Sequence, residues 1–174
     1  MTNTYHSDEY AQVYARSLTE PESFWSEQAA HIPWMKAPET ILDQDENGVW
    51  RWFSDGVMNS CFVALDQHVE QGRGDQTALI YDSPVTGTVE KYSYSELLAK
   101  TAVIAGGLAD IGVSKGDVVV IYMPMVPETA AAMLACARIG AIHSVVFGGF
   151  APKELAMRIY DANPKVILAA SCGI

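Results

Sequence analysis

The sequence predicts an α/β fold in which a partial parallel sheet is covered by helices and follows an N-terminal helical and aromatic arm. From residue 117 onward, apolar runs of strand length alternate with stretches of helical periodicity, the pattern of parallel strands buried on both faces. Before residue 76, helical segments flank an irregular stretch rich in aromatic residues. We therefore expect the arm to occupy residues 1–75 and the sheet-forming part residues 76–174.

The arm begins with two predicted helices within residues 8–32. A capping box at residues 19–22 is expected to open the second helix, with Pro21 in its first turn. Residues 33–55 carry large aromatic side chains among prolines, glycines and acidic residues, and we expect them to wrap over another surface. Residues 59–70 predict a short amphipathic helix.

The remaining part predicts a hairpin and then regular α/β units. Residues 77–81 and 90–94 form the hairpin around Pro84 and Gly87, and a second capping box at residues 93–96 opens a helix that Gly112 stops. The units that follow are a strand at residues 117–123, a helix at 127–139, a strand at 141–147, a helix at 152–161 and a strand at 165–170.

Composition excludes some classes of partner. Of the 174 residues, 49% are hydrophobic and 18% charged, which is typical of a globular domain. The formal net charge is −10, because 21 acidic residues outnumber 11 basic ones. This balance argues against a nucleic-acid or anionic-membrane surface.

The cysteines and the absence of targeting signals in these residues predict a cytoplasmic protein. Cys61, Cys136 and Cys172 are widely spaced in apolar sequence, so we expect reduced core thiols and no disulfide or zinc framework. The N-terminal residues lack the features of a signal peptide, and charged residues interrupt the longest apolar run, 126–146.

The strongest candidate site follows the strand at residues 142–147. Phe147, Gly148 and Gly149 stand where this strand ends, and a helix begins near residue 152. Two residues without Cβ allow a ligand or another backbone to approach closely at the carboxyl end of a strand. A tight strand-to-helix turn explains the same glycines, and both interpretations stay open on sequence grounds.

Other candidates have structural explanations. Residues 83–91 imitate a phosphate-binding loop, but one internal glycine and Pro84 favour a hairpin turn. We expect His143 to lie in the core or a crevice, and His68 and Asp66 to lie on a solvated helix face. We expect Arg138 to interact with the dipole of its helix. We expect Met123 and Met125 to pack beneath a crevice.

Several blocks together resemble the N-terminal part of the AMP-forming short-chain acid–CoA ligases, the acetyl- and propionyl-CoA synthetases of the adenylate-forming superfamily. The resemblance runs from about residue 10 to the last residue. The blocks that carry it are residues 21–25, 50–53, 59, 65–68, 80–87 and 122–150. The chain departs from the family pattern at Val63 and Gln67, where the family commonly has Asn and Arg.

The resemblance implies a reaction and its ligands. In this family, ATP and a short-chain carboxylate form an acyl-adenylate and pyrophosphate, and the thiol of coenzyme A then displaces AMP, with Mg²⁺ required. Phe147, Gly148 and Gly149 would face the pantetheine arm of coenzyme A. The family's phosphate loop and catalytic lysine have no counterpart in these residues, so we expect a truncated, inactive piece that binds no cofactor tightly.

Alternatives remain on sequence grounds. Residues 81–87 and 170–174 look more like the propionate branch than the acetate branch. A stand-alone binding or regulatory module and a flavodoxin-like cofactor domain are the two rival functions. In isolation, the edge strand near residues 166–169 and the aromatic arm should expose apolar surface and promote self-association.

Overall fold

The computed structural model describes residues 8–149 and 151–171, which form two compact units that divide between Met58 and Asn59. The described residues of the first unit contain two helices and one antiparallel strand pair. These elements are α1 (Asp8–Thr19), α2 (Pro21–Ala29), β1 (Leu42–Gln44) and β2 (Trp50–Trp52). The two predicted helices are confirmed.

The capping box predicted at residues 19–22 is wrong. Thr19 is the last residue of α1, and its hydroxyl donates a hydrogen bond to the carbonyl oxygen of Ala15 at 3.1 Å. Glu20 is the N-cap of α2 and makes no side-chain capping bond. Because a single residue separates the helices, Thr19 lies one position too early to cap α2.

Within the predicted irregular arm, the β1–β2 hairpin is the regular part. The Asp45 carboxylate fixes its turn by accepting hydrogen bonds from the backbone N–H groups of Val49 and Asn47, both at 3.0 Å. The bond from Val49 is the main reason that the pKa of Asp45 lies below its usual value. Trp50 and Trp52 are exposed on this hairpin, and the wrapping role of the arm stays a prediction.

The second unit begins with the predicted helix after Asn59, but much of this helix is π-helical. The π-helical stretches are Phe62–Asp66 and Val69–Arg73. Asn59 caps the helix, since its Oδ1 accepts hydrogen bonds from the backbone N–H groups of Cys61 and Phe62. The helix is therefore where the sequence predicts it, with a wider winding than the apolar spacing indicated.

The predicted hairpin and the second capping box are confirmed. Strands β3 (Thr77–Ser83) and β4 (Thr88–Ser93) pair antiparallel and lead into α3 (Tyr94–Asp110). The Ser93 hydroxyl accepts from the Glu96 N–H at 3.2 Å, and the Glu96 carboxylate accepts from the Ser93 N–H at 2.8 Å. Both bonds satisfy donors that the helix itself leaves unpaired.

A three-stranded parallel sheet follows, in the order β6–β5–β7. Each element boundary agrees with the prediction to within one residue. The elements are β5 (Val118–Met123), α4 (Pro127–Ile139), β6 (Ile142–Phe147), α5 (Pro152–Ala162) and β7 (Val166–Ala169). The right-handed crossover rule requires α4 and α5 to lie on opposite faces of this sheet, because the chain moves outward from β5 to β6 and then back across to β7.

The core lies around β5, whose central residues Val119, Val120 and Ile121 are fully buried. The small side chains of Ala132, Ala135 and Cys136 in α4 are buried in the same core. Helix α5 has no buried residue, so the second face of the sheet is covered less completely than the apolar strands indicated. None of the described helices is both long and apolar enough to span a membrane.

Charged groups stabilise the end of the sheet where the strands begin. The Asp117 carboxylate accepts hydrogen bonds from the Lys165 ammonium at 2.8 Å and from the backbone and hydroxyl of Ser114. These bonds lower the pKa of Asp117 to about 2. The opposite end of the sheet, where β5 and β6 terminate, is mostly apolar.

Candidate functional site

A cleft of about 520 Å³ lies where strands β5 and β6 end, beside the β3–β4 hairpin. Its lining comes from three segments, residues 81–85, 124–126 and 147–149. Open α/β sheets bind ligands at the carboxyl ends of their strands, and the volume falls within the roughly 300–1,000 Å³ of small-molecule sites. The structure thus brings Phe147, Gly148 and Gly149 into one cleft.

Gly148 is required by the close approach of a neighbouring strand. Met123 and Phe147 are partners in the parallel register, so β5 and β6 end side by side. A Cβ added to Gly148 would lie 2.9 Å from the carbonyl oxygen of Met123 and 3.1 Å from the Pro124 nitrogen. Such distances force the backbone to move, so no larger residue fits at this strand end.

Gly149 leaves space for the ring of Phe147. A Cβ at Gly149 would lie 2.7 Å from Cε1 of that ring. Neither Gly148 nor Gly149 has a positive φ, so close approach explains both positions and left-handed backbone does not. Phe147 itself is 61% exposed and lines the cleft. Close contacts within the protein therefore explain both glycines, and the observation that bears on a ligand is that this segment lines the cleft.

The exit of β5 forms a second wall. The Thr129 hydroxyl donates to the carbonyl oxygen of Pro124 at 2.7 Å, and the Val126 N–H donates to the same oxygen at 2.8 Å. These bonds hold a tight turn with Met125 at its tip. Met123 packs against the core as predicted, but Met125 is 77% exposed in the cleft, so the packing role predicted for it is wrong.

The hairpin tip forms a third wall that sequence reasoning did not assign to the site. Its turn is confirmed, with Gly87 at a φ of 65° and its N–H donating to the Ser83 carbonyl oxygen at 2.9 Å. Pro84 and Val85 of this turn line the cleft. The available signal was an apolar residue, Val85, in a turn of otherwise polar residues and proline.

The cleft is mostly apolar and contains little charge. Among the described lining residues, Asp82 is the only one with a charged side chain, and none is Lys, Arg or His. A phosphate group needs cationic or multiple N–H partners. The lining therefore favours an uncharged ligand held by van der Waals contacts and backbone groups.

The two candidate histidines lie elsewhere, and both predictions about them need correction. His143 is exposed rather than buried in a core or crevice, because β6 is at the edge of the described sheet and one flank of the strand is open. His68 packs its ring against Tyr94, with 4.5 Å between the centroids, and its Nδ1 is buried. Neither histidine lines the cleft.

Arg138 makes an ion pair with Asp66 instead of acting only on the dipole of α4. Two nitrogens of its guanidinium donate to the two carboxylate oxygens at 2.9 Å each. This pairing, helped by the Cys61 thiol, raises the pKa of Arg138 further above its usual value. Asn59 donates to the carbonyls of Ala137 and Arg138, so these side chains fasten the π-helical segment to the end of α4.

The described cysteines are buried free thiols, as predicted. Burial raises the pKa of both Cys61 and Cys136, which keeps them protonated and unreactive. The prediction for Cys172 lies outside the described residues. Within residues 8–149 and 151–171, no cluster of three or more His, Cys, Asp or Glu side chains could hold a metal ion.

Family models match almost the whole chain. Residues 65–173 match the model of the AMP-binding enzymes, and residues 10–64 match the model of the acetyl-coenzyme A synthetase N-terminus. The two matches meet inside the π-helical segment. The predicted resemblance to the adenylate-forming acid–CoA ligases is confirmed.

Individual relatives agree with these matches. The chain is 61% identical to the "Uncharacterized protein PA3568" of Pseudomonas aeruginosa, over 95% of this chain and 26% of the relative. It is 50% identical to human "Acyl-CoA synthetase short-chain family member 3, mitochondrial", over 95% of this chain and 24% of the relative. The "Acetyl-coenzyme A synthetase" of Marinobacter nauticus is 45% identical, over 97% of this chain and 26% of the relative. The chain spans about a quarter of the length of these relatives.

Proposed function

Because the chain belongs to the AMP-binding enzyme family, we propose that it supplies scaffold and one coenzyme A-facing wall of an AMP-forming short-chain acid–CoA ligase. The complete reaction converts a short-chain carboxylate, ATP and coenzyme A into an acyl-CoA, AMP and pyrophosphate. The contribution of these residues to that reaction is positional: they form part of the surface along which the thiol-bearing arm reaches the acyl group.

The observation that carries this proposal is the cleft at the ends of β5 and β6, which Phe147, Gly148 and Gly149 line. A side chain at Gly148 would collide with the end of β5, and its absence leaves the backbone of β5 and β6 side by side at the cleft. An extended, amide-containing ligand arm suits a cleft at strand ends, because backbone N–H and C=O groups there are its natural hydrogen-bond partners. Phe147 adds an apolar surface beside them.

ATP and Mg²⁺ belong to the proposed reaction but not to the proposed role of this cleft. The described lining offers one carboxylate and no cation, which is the wrong chemistry for a triphosphate. No step of carboxylate activation is therefore assigned to these residues. The carboxylate itself is a short-chain acid, propionate or acetate, and the proposed location of the protein is the cytosol.

The domain division at residues 75 and 76 remains part of this proposal. Residues 1–75 are the arm and residues 76–174 the beginning of the nucleotide-binding domain. A flavodoxin-like domain is excluded as the alternative, because the AMP-binding and acetyl-coenzyme A synthetase models match residues 10–173. A stand-alone binding module differs from our proposal in affinity, so a titration separates the two.

The test is a titration of the isotope-labelled chain with coenzyme A, followed by amide NMR. We expect weak, saturable shifts at Phe147, Gly148 and Gly149, with affinity in the millimolar range, and none at these residues with AMP. Equal shifts with both ligands, or none with coenzyme A, would contradict the proposal. A coenzyme A affinity in the micromolar range would instead identify a working binding module.

A further inference from the structure

The hairpin tip has a fixed shape that does not depend on the cleft. The Ser83 hydroxyl accepts a hydrogen bond from the Thr86 N–H at 3.3 Å, and the Ser83 carbonyl accepts one from the Gly87 N–H. Pro84 has a fixed φ of its own. The turn is thus preformed, and it holds Val85 70% exposed at the cleft.

A second preformed turn presents Met125 to the same cleft. Its backbone is fixed by the bonds that Thr129 and Val126 donate to Pro124, and the side chain is 77% exposed. Exposed apolar residues scattered singly need no explanation, but these two line one cavity together with Phe147. Two rigid turns that each direct an apolar side chain to one cleft indicate a ligand that covers them.

The charge of the cleft limits the chemistry of that ligand. Asp82 lies in the hairpin next to the turn and repels phosphate, and the described lining contains no cation to offset it. The part of coenzyme A that fits such a wall is its neutral, flexible middle and thiol end. The nucleotide phosphates must lie outside it.

We propose that Val85 and Met125 are ligand-contacting residues that hold the uncharged arm of coenzyme A against the Phe147–Gly148–Gly149 wall. This inference rests on the proposed function, since it assigns further residues to the same cleft. It makes the β3–β4 hairpin part of the binding surface rather than a purely structural turn.

Truncation of each residue tests the proposal, with neutral pantetheine as the probe. Val85→Ser should weaken pantetheine binding about 15-fold, since the two methyl groups lost from the contact contribute about 1.6 kcal/mol when buried. The matched control is Val89→Ser on the same hairpin, where Val89 is 63% exposed and does not line the cleft. Met125→Ser, with Met157→Ser in α5 as its control, forms a second pair.

The readout is the dissociation constant from amide shifts of Gly148 and Gly149. Weaker binding in Val85→Ser and Met125→Ser but not in the controls supports the proposal. If all four variants bind as the parent does, Val85 and Met125 do not contact the ligand and the proposal is overturned, while coenzyme A shifts at Gly148 would still support the proposed function. If neither coenzyme A nor pantetheine moves those signals, both fail.

Discussion

At Gly148 a single hydrogen atom stands where every other residue type has a carbon. We expect Gly148→Ala to lower the free energy of unfolding by about 1–3 kcal/mol, because the added methyl meets the backbone at Met123 and Pro124. The control is Gly106→Ala in α3, where nothing lies within 4 Å of the added carbon. That change should stabilise the helix by up to about 1 kcal/mol.

Urea unfolding of the two variants measures both effects. Loss of stability in Gly148→Ala with a gain in Gly106→Ala supports the geometry described for the strand ends. A neutral Gly148→Ala variant would mean that β5 and β6 end farther apart than the structure has them.

The Arg138–Asp66 pair is a second test at residue scale. Both side chains are mostly buried, 32% and 17% exposed, and their two-pronged hydrogen bonds link segments 72 positions apart in sequence. Removing one partner leaves a poorly solvated charge, so Arg138→Met and Asp66→Asn should each cost about 1–3 kcal/mol.

The double variant separates this pair from ordinary packing. Its loss of stability should be smaller than the sum of the two single losses by about 1 kcal/mol or more. Additive losses would show that the two charges do not depend on each other. Sequence reasoning missed this pair, because nothing local in the sequence relates the helix after Asn59 to the end of α4.

At the scale of elements, one predicted capping box is present, at residues 93–96, and the other, at residues 19–22, is absent. Substitution of the two proposed capping residues tests this difference. Ser93→Ala should destabilise the protein by about 1 kcal/mol, since it removes the acceptor for the Glu96 N–H. Thr19→Ala should cost much less, because Thr19 bonds back within α1 and caps nothing. Thermal unfolding of both variants measures the contrast, and equal losses would contradict the capping assignment.

The elements that the sequence predicts best are those specified by local chemistry. The strands and helices from β5 to β7 follow from apolar runs separated by Pro127, Gly140 and Pro152, which mark helix starts and stops. The strand-end glycines of the candidate site were recognisable for the same reason. The β1–β2 hairpin was missed because its strands have three residues each, too few for a periodicity.

The features that could not be predicted depend on long-range geometry. The hairpin tip joins the cleft only because β3–β4 packs beside the exits of β5 and β6, and no spacing in the sequence encodes that approach. The π-helical winding of Phe62–Asp66 and Val69–Arg73 could not be predicted either, since the apolar positions of this helix also fit an α-helix. His143 was assigned to the interior because the apolar run around it does not reveal that β6 lies at an edge of the sheet that the structure describes.

At the scale of the whole molecule, β6 and β7 are the two edge strands of the three-stranded parallel sheet that the structure describes. Neither strand carries Lys, Arg, Asp or Glu, and Ile142, Val145 and Ile167 are exposed on them. Such edges favour association between chains. We therefore expect concentration-dependent oligomers of the 174-residue chain in light scattering, and reduced association in Val145→Lys, which places a charge on the edge.

A parent chain that stays monomeric at every concentration would contradict this expectation. The control is Val103→Lys in α3, a substitution at an exposed position away from the sheet edges that should leave association unchanged.

The central claim is that these residues provide scaffold and a coenzyme-facing wall but do not activate the carboxylate. The most direct measurement is pyrophosphate release by the purified 174-residue chain mixed with ATP, Mg²⁺, coenzyme A and either propionate or acetate. We predict no release above the protein-free rate with either acid. Pyrophosphate formation that depends on the acid and on the protein would contradict the claim.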